Sequence, residues 1–150
     1  MTTEYGPRLF ARDDDIRAIG TGLLARTLPR ESWTHEAHLG ACLWLVSERP
    51  DIDVDAEIAD IISRYNESVG GVNDDRQGYH DSITRAYVAG VRLFLSETAE
   101  TELAARVNGL LRSPMGARDW PLRFYSRDLL FSIPARRRFV EPDLAPLPSA

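Results

Sequence analysis

The chain has no lysine: all 18 of its basic residues are arginine, scattered along the sequence in the manner of a GC-rich coding bias. That absence excludes Schiff-base chemistry on a lysine amine and the phosphate-gripping lysine of a Walker loop. Cysteine is nearly missing as well. The single Cys42 rules out an internal disulfide, a Cys-x-x-Cys redox pair and any multi-cysteine zinc or iron–sulfur site. No apolar run approaches the roughly 18–20 residues that span a bilayer. Met1 to Gly6 also lacks the charged-then-apolar order of a signal peptide. These readings predict a cytoplasmic protein with no membrane partner. Positive charge is short too. A net charge of −5 and a pI near 5.2 argue against a nucleic-acid binder that works by neutralising phosphates.

What remains is the material of one globular domain. The 150 residues are 43% hydrophobic and 27% charged, long enough to bury a core without staples. Apolar spacing reads as helix nearly throughout. Ile16, Ile19, Leu23 and Leu24 form a first stripe, entered through Asp13-Asp14-Asp15, which complement a helix N-terminus, and stopped by Pro29. Thr34 is placed to cap a second helix running to about Arg49. Its Leu-Trp-Leu-Val stretch is apolar on most sides and so belongs at the centre. A third helix from about Asp53 to Val69 is closed by Gly70-Gly71. After a polar loop, a fourth runs from near Tyr79 to about Glu97, and a fifth from about Glu100 to Arg112. Beyond Ser113-Pro114 the pattern weakens, with one short helix expected in 118–131, a helical turn in 132–140 and an extended or loose tail over 141–150. The expected fold is an all-α, single-domain bundle of about five helices with an irregular C-terminal segment. Gly20-Thr21-Gly22 lies inside a helical stripe with no strand before it, so it is not a phosphate loop.

The three histidines carry the functional signal. His35 and His38 are three apart on the second helix and share a face with Leu39, Cys42 and Val46. His80 falls on the inward stripe of the fourth helix with Ile83, Thr84 and Tyr87. Short connections between the second, third and fourth helices predict up-down-up packing, which brings both histidine sites to one end. Helix N-termini disfavour imidazolium, so the rings are expected neutral, as metal ligation requires. Three imidazoles with an open position suit one divalent transition metal: zinc, iron, nickel or copper. Glu67, Asp81 and Glu36 are candidates for a fourth ligand, a supporting partner or a general base. Thr34 opens the histidine helix, Trp33 is core or pocket wall, and Tyr65, Tyr79 and Thr84 are placed to orient a water or substrate.

Five segments together resemble a family of small, uncharacterised helical proteins of bacteria. They are Trp33-Thr34-His35-Glu36-Ala37-His38-Leu39, Arg64-Tyr65-Asn66-Glu67-x-Val69-Gly70 and Gly78-Tyr79-His80-Asp81-Ser82-Ile83-Thr84, with Phe124 to Ser132 and Val140 to Leu144 further on. The family more often has Glu-Thr where this chain has Asp81-Ser82. The resemblance supplies no reaction. It implies that Tyr65, Asn66, Tyr125 and Arg127 belong with the histidines, and a guanidinium there would suit an anionic substrate.

Three functional readings follow. In the first, His35, His38 and His80 hold a metal that activates water or a small substrate, with Glu67 or Asp81 as general base; hydrolysis, isomerisation and oxygen chemistry all stay open. In the second, the site is metal-free and binds a small acidic or aromatic ligand, with the histidines, Tyr79 and Arg127 as hydrogen-bond donors. The third is a helical interaction protein, which requires a contiguous exposed apolar patch. A homodimer is compatible with each. Purely structural hydrogen bonding of the histidines is the plain alternative to all three.

Overall fold

The helix starts follow from side chains that satisfy the first orphan N–H groups. In the computed structural model, which describes residues 6–149, Thr34 Oγ1 accepts from the Ala37 N–H at 3.1 Å and opens α2 (His35–Glu48). Asp53 Oδ1 does the same for Ala56 at 3.2 Å and opens α3 (Val54–Ser68). Before them, α1 (Asp13–Ala25) carries its three aspartates in the first turn, as expected from the helix dipole. Among the described residues every regular element is helical, and the five long helices fall close to their expected bounds.

Two starts differ from expectation, and the C-terminal segment follows it, with a short helix and a further helical turn where they were expected. The fourth helix, α4 (Asp81–Glu97), begins two residues later than Tyr79, because His80 itself is the cap. The fifth, α5 (Leu103–Arg112), begins at Leu103 rather than near Glu100. Past it the chain makes two 3-10 turns, Pro114–Gly116 and Trp120–Arg123. Two short helices follow, α6 (Arg127–Leu130) and α7 (Ile133–Arg137), each capped by a serine hydroxyl, Ser126 and Ser132. Proline and short spacings break the 3.6-residue period there, so only local caps define these elements.

α2 is the axis of the bundle, as its apolar circumference predicts. Leu39, Leu43 and Leu45 are at most 2% exposed, and the helix packs against α1, α4 and α5. On α1, Gly20 makes room for it: the Trp44 ring lies where a Cβ at that position would stand. Ile16, Val91, Val107 and Leu110 complete this core, each fully buried. The α3–α4 connection is organised by Asn73, whose Nδ2 donates to Ser63 O at 2.9 Å and whose Oδ1 accepts from the Tyr79 N–H at 2.9 Å. Gly78, with φ +81°, turns the chain into α4. No described helix is long and apolar enough to cross a membrane.

The tail is extended but held. Tyr125 OH donates to Val140 O at 2.6 Å, Val140 N–H to Ser82 Oγ at 3.2 Å, and Ser82 Oγ–H to Arg138 O at 3.0 Å. Asp143 accepts from the Ser126 N–H at 2.7 Å, and Leu144 N–H reaches Phe124 O at 2.9 Å. The segment is thereby clasped to the first turn of α4 and to the 3-10 region. Beyond it, Pro148 and Ser149 lie beside Asp55, Val88 and Arg92.

Candidate functional site

A cavity of about 340 Å³ opens between α2, α3 and the first turns of α4. Its deep wall is aliphatic, formed by Leu39 and Leu45 of α2, Ile58 and Ile62 of α3, and Leu23 of α1. The starts of α2 and α4 both border it, which is the juxtaposition that up-down-up packing requires. His35, His38 and Cys42 enter from one face of α2, and Ile83, Thr84 and Tyr87 from α4. Arg118 stands at the mouth, largely exposed, with its guanidinium 3.9 Å from the buried Glu36 carboxylate.

The backbone fixes both imidazoles. His35 Nε2 lies 2.9 Å from Gly116 O, and His38 Nδ1 lies 2.7 Å from Thr34 O. A carbonyl oxygen only accepts, so each of these nitrogens carries a proton. Each ring in its neutral form then keeps a bare lone pair on the other nitrogen, His35 Nδ1 and His38 Nε2. Neither has a hydrogen-bond partner among the described residues. His38 is also stacked on Trp33, with centroids 3.7 Å apart and planes tilted by 32°, and burial pushes its pKa down to about 4. Its side chain is nonetheless exposed, at the open side of the cavity that it helps to line. The neighbouring hydroxyls are already donating: Tyr87 OH to Ala117 O at 2.7 Å and Thr84 Oγ1–H to His80 O at 2.8 Å. Burial raises the Tyr87 phenol to about 12 and the Cys42 thiol to about 12, so both stay protonated near neutrality. Trp33 Nε1–H is a buried donor without a partner.

His80 does not join the other two histidines. Its Nδ1 accepts from the Ile83 N–H at 3.1 Å, as an aspartate would at a helix start, and its Nε2–H donates to Leu130 O at 2.7 Å. Both nitrogens are in use, the ring is 7% exposed, and its pKa is lowered first by burial. Among the described residues no group of three His, Cys, Asp or Glu side chains stands together as a metal ion would need.

The proposed bases also stand elsewhere. Asp81 is held by Tyr79 OH at 2.7 Å and by Arg85 Nε at 3.3 Å, and none of the three lines the cavity. Tyr79 gives its hydroxyl to that carboxylate, and burial followed by this bond raises its pKa. Glu67 is exposed at the end of α3 beside Arg26 and Arg64. Asn66 donates to Asn73 Oδ1 at 3.1 Å, which ties the α3 end to the following loop. Tyr65, fully buried behind Trp33, donates to Leu28 O at 2.9 Å. Tyr125 belongs to the C-terminal clasp, and Arg127 is exposed on α6.

Of the residues expected at the site, Trp33, His35, His38 and Thr84 thus share the cavity, with Thr34 beneath them as cap and acceptor. Tyr87 and Cys42 complete the wall and were within reach of sequence reasoning, one helical turn beyond Thr84 and His38 respectively. Arg118 takes the place beside the cavity that Arg127 was expected to fill. It follows a 3-10 turn in a stretch without periodicity, and no local pattern announces it. Comparison with protein-family models finds no match, and comparison with curated proteins and with solved structures finds none either.

Proposed function

We propose that this chain binds a small, largely apolar organic molecule in the cavity between α2, α3 and α4. The observation that carries this reading is the cavity itself: about 340 Å³, walled by aliphatic side chains, with a few polar groups at one side. Such a composition is that of small-molecule sites. An apolar cavity of about 150 Å³ is enough for benzene, so the space here suits a bicyclic or similarly sized body.

The test is a methyl-resonance titration with naphthalene. The methyls of Ile58, Ile62 and Leu45 should shift together and saturably, while the methyls of Leu110 and Val107, in the core outside the cavity, stay in place. An Ile62→Trp variant, which fills the space, should fold and lose the response. Uniform small shifts, or an unchanged response in Ile62→Trp, would overturn the reading.

One observation favours a second reading, a divalent transition metal at His35 and His38. Both rings donate their N–H to a backbone carbonyl and keep a free lone pair, which is how metal-bound imidazoles are usually held from behind. His80 would have to give up two hydrogen bonds to become the third ligand. Zinc, iron, nickel or copper bound near stoichiometrically in wild type and lost in His38→Ala, with no naphthalene response, would decide for the metal.

A further inference from the structure

Resting on the cavity as a ligand site, we infer that the polar end of its ligand is a hydroxyl that donates a hydrogen bond to the imidazoles, and not a carboxylate. The argument is one of tautomers. Gly116 O and Thr34 O each fix a proton on the nitrogen that faces them, at 2.9 and 2.7 Å. What the neutral rings have left to offer is His35 Nδ1 and His38 Nε2, both acceptors. The hydroxyls of Thr84 and Tyr87 have likewise spent their protons on backbone carbonyls, and leave only oxygen lone pairs for a ligand. Against these four acceptors the lining residues hold one unpartnered N–H, Trp33 Nε1, a single neutral donor, so the polar side of the cavity is richer in acceptors than in donors, the reverse of an anion site.

The one full positive charge among the described residues that line the cavity does not change this. Arg118 lies at the mouth, in water, with the Glu36 carboxylate 3.9 Å away to offset it. A carboxylate drawn past it would leave solvent for aliphatic walls and meet lone pairs, which is strongly unfavourable unless it brings a proton with it. The lowered pKa of His38, set by its loss of solvation, opposes its taking such a proton. A phenol or alcohol has no such difficulty. It donates its proton to an imidazole nitrogen, stays neutral, and buries its hydrocarbon body against Leu39, Leu45, Ile58 and Ile62.

The experiment is calorimetric titration of the wild-type protein at neutral pH with three probes of one shape: 2-naphthol, 2-methoxynaphthalene and 2-naphthoate. The inference expects 2-naphthol to bind about tenfold more tightly than 2-methoxynaphthalene, the worth of about one hydrogen bond, and 2-naphthoate to bind weakest. In His38→Phe, which keeps a ring against Trp33 but removes the acceptor, the preference for 2-naphthol over 2-methoxynaphthalene should fall to about threefold or less. Equal affinity for 2-naphthol and 2-methoxynaphthalene overturns the donor inference while leaving the ligand cavity standing. Tightest binding of 2-naphthoate does the same. No binding of any probe, together with no naphthalene response, overturns the cavity reading and the inference with it. The ranking in wild type decides the matter even if His38→Phe does not fold.

Discussion

The His80 imidazole fastens Leu130 to the start of α4: its Nε2–H donates to Leu130 O at 2.7 Å while its Nδ1 takes the Ile83 N–H at 3.1 Å. One ring thus caps a helix and fills the carbonyl of another. Removing it in His80→Ala loses a cap, worth about 1 kcal/mol, and strands a carbonyl, worth about 1–3 kcal/mol. The expected loss is about 2–4 kcal/mol by urea unfolding. Asparagine is a good cap but too short to reach Leu130, so His80→Asn should recover about 1 kcal/mol of it. Equal stability of His80→Ala and wild type would contradict this role.

Acid should weaken the fold before the carboxylates titrate. Burial lowers His38 to about 4 and also lowers His80, whereas an unfolded imidazole titrates near about 6.5. Between those values the unfolded chain binds protons that the native rings refuse, so stability falls as pH drops from about 6.5 toward 4 and is complete above that range. The groups facing His38 are His35 on its own helix, with Cys42, Tyr87 and Arg118 around the same cavity, and none of them offers it a carboxylate. Asp55 and Asp75, lowered by bonds to Arg92 and Arg137, add their loss only as pH falls below the unfolded carboxylate value of about 3.9. Urea midpoints at three pH values between 7.5 and 5 should decline in wild type and decline less in His38→Gln. A flat wild-type profile would contradict the lowered pKa of both rings.

Gly20 is where α1 admits the Trp44 ring. A Cβ there would overlap Cε3 of Trp44, 6% exposed in the core. Gly20→Ala gains helix propensity of about 1 kcal/mol but forces the ring or the helix aside, which costs about 1–3 kcal/mol or more. Net destabilisation is the expected outcome, with a changed near-ultraviolet signal from the tryptophan. A more stable variant with an unchanged spectrum would show that the two helices are not this close.

The C-terminal segment serves the fold and does not close the cavity. No described residue after Arg118 lines the pocket. Deleting the residues after Val140 should therefore leave naphthalene affinity within about twofold, while lowering the melting temperature through the lost Asp143–Ser126 and Leu144–Phe124 bonds. Tyr125→Phe, which leaves the Val140 carbonyl without its 2.6 Å donor, should cost about 1–2 kcal/mol with binding again unchanged. A large fall in affinity on truncation would contradict this and show that the tail covers the cavity.

The fold was legible because periodicity and caps agree over long stretches: the apolar circumference of α2, the Asp53 and Thr34 caps, and the Gly70 stop all act locally. His35 and His38 were legible as a pair for the same reason. His80 sits on the inward stripe as expected, yet its partners are the Leu130 carbonyl, fifty residues away, and a backbone N–H within its own first turn. Periodicity says that a side chain is buried and nothing about which carbonyl meets it. The same holds for the segments around Tyr65, Ser82 and Tyr125: Tyr65, Asn66, Ser82 and Tyr125 each spend their polar atoms on distant backbone or on Asn73, and so hold loops together. Arg118 and the C-terminal clasp depend on 3-10 turns and single hydrogen bonds, which carry no repeating signature.

The most direct test of the central claim is the methyl-resonance titration with naphthalene in wild type and in Ile62→Trp. A saturable shift confined to Ile58, Ile62, Leu45 and their neighbours, and lost when the larger indole of the Ile62→Trp variant fills the space, is the predicted result. Saturation that spreads over the surface, or survives the filled cavity, would mean that the space between α2, α3 and α4 is not where this protein takes a ligand.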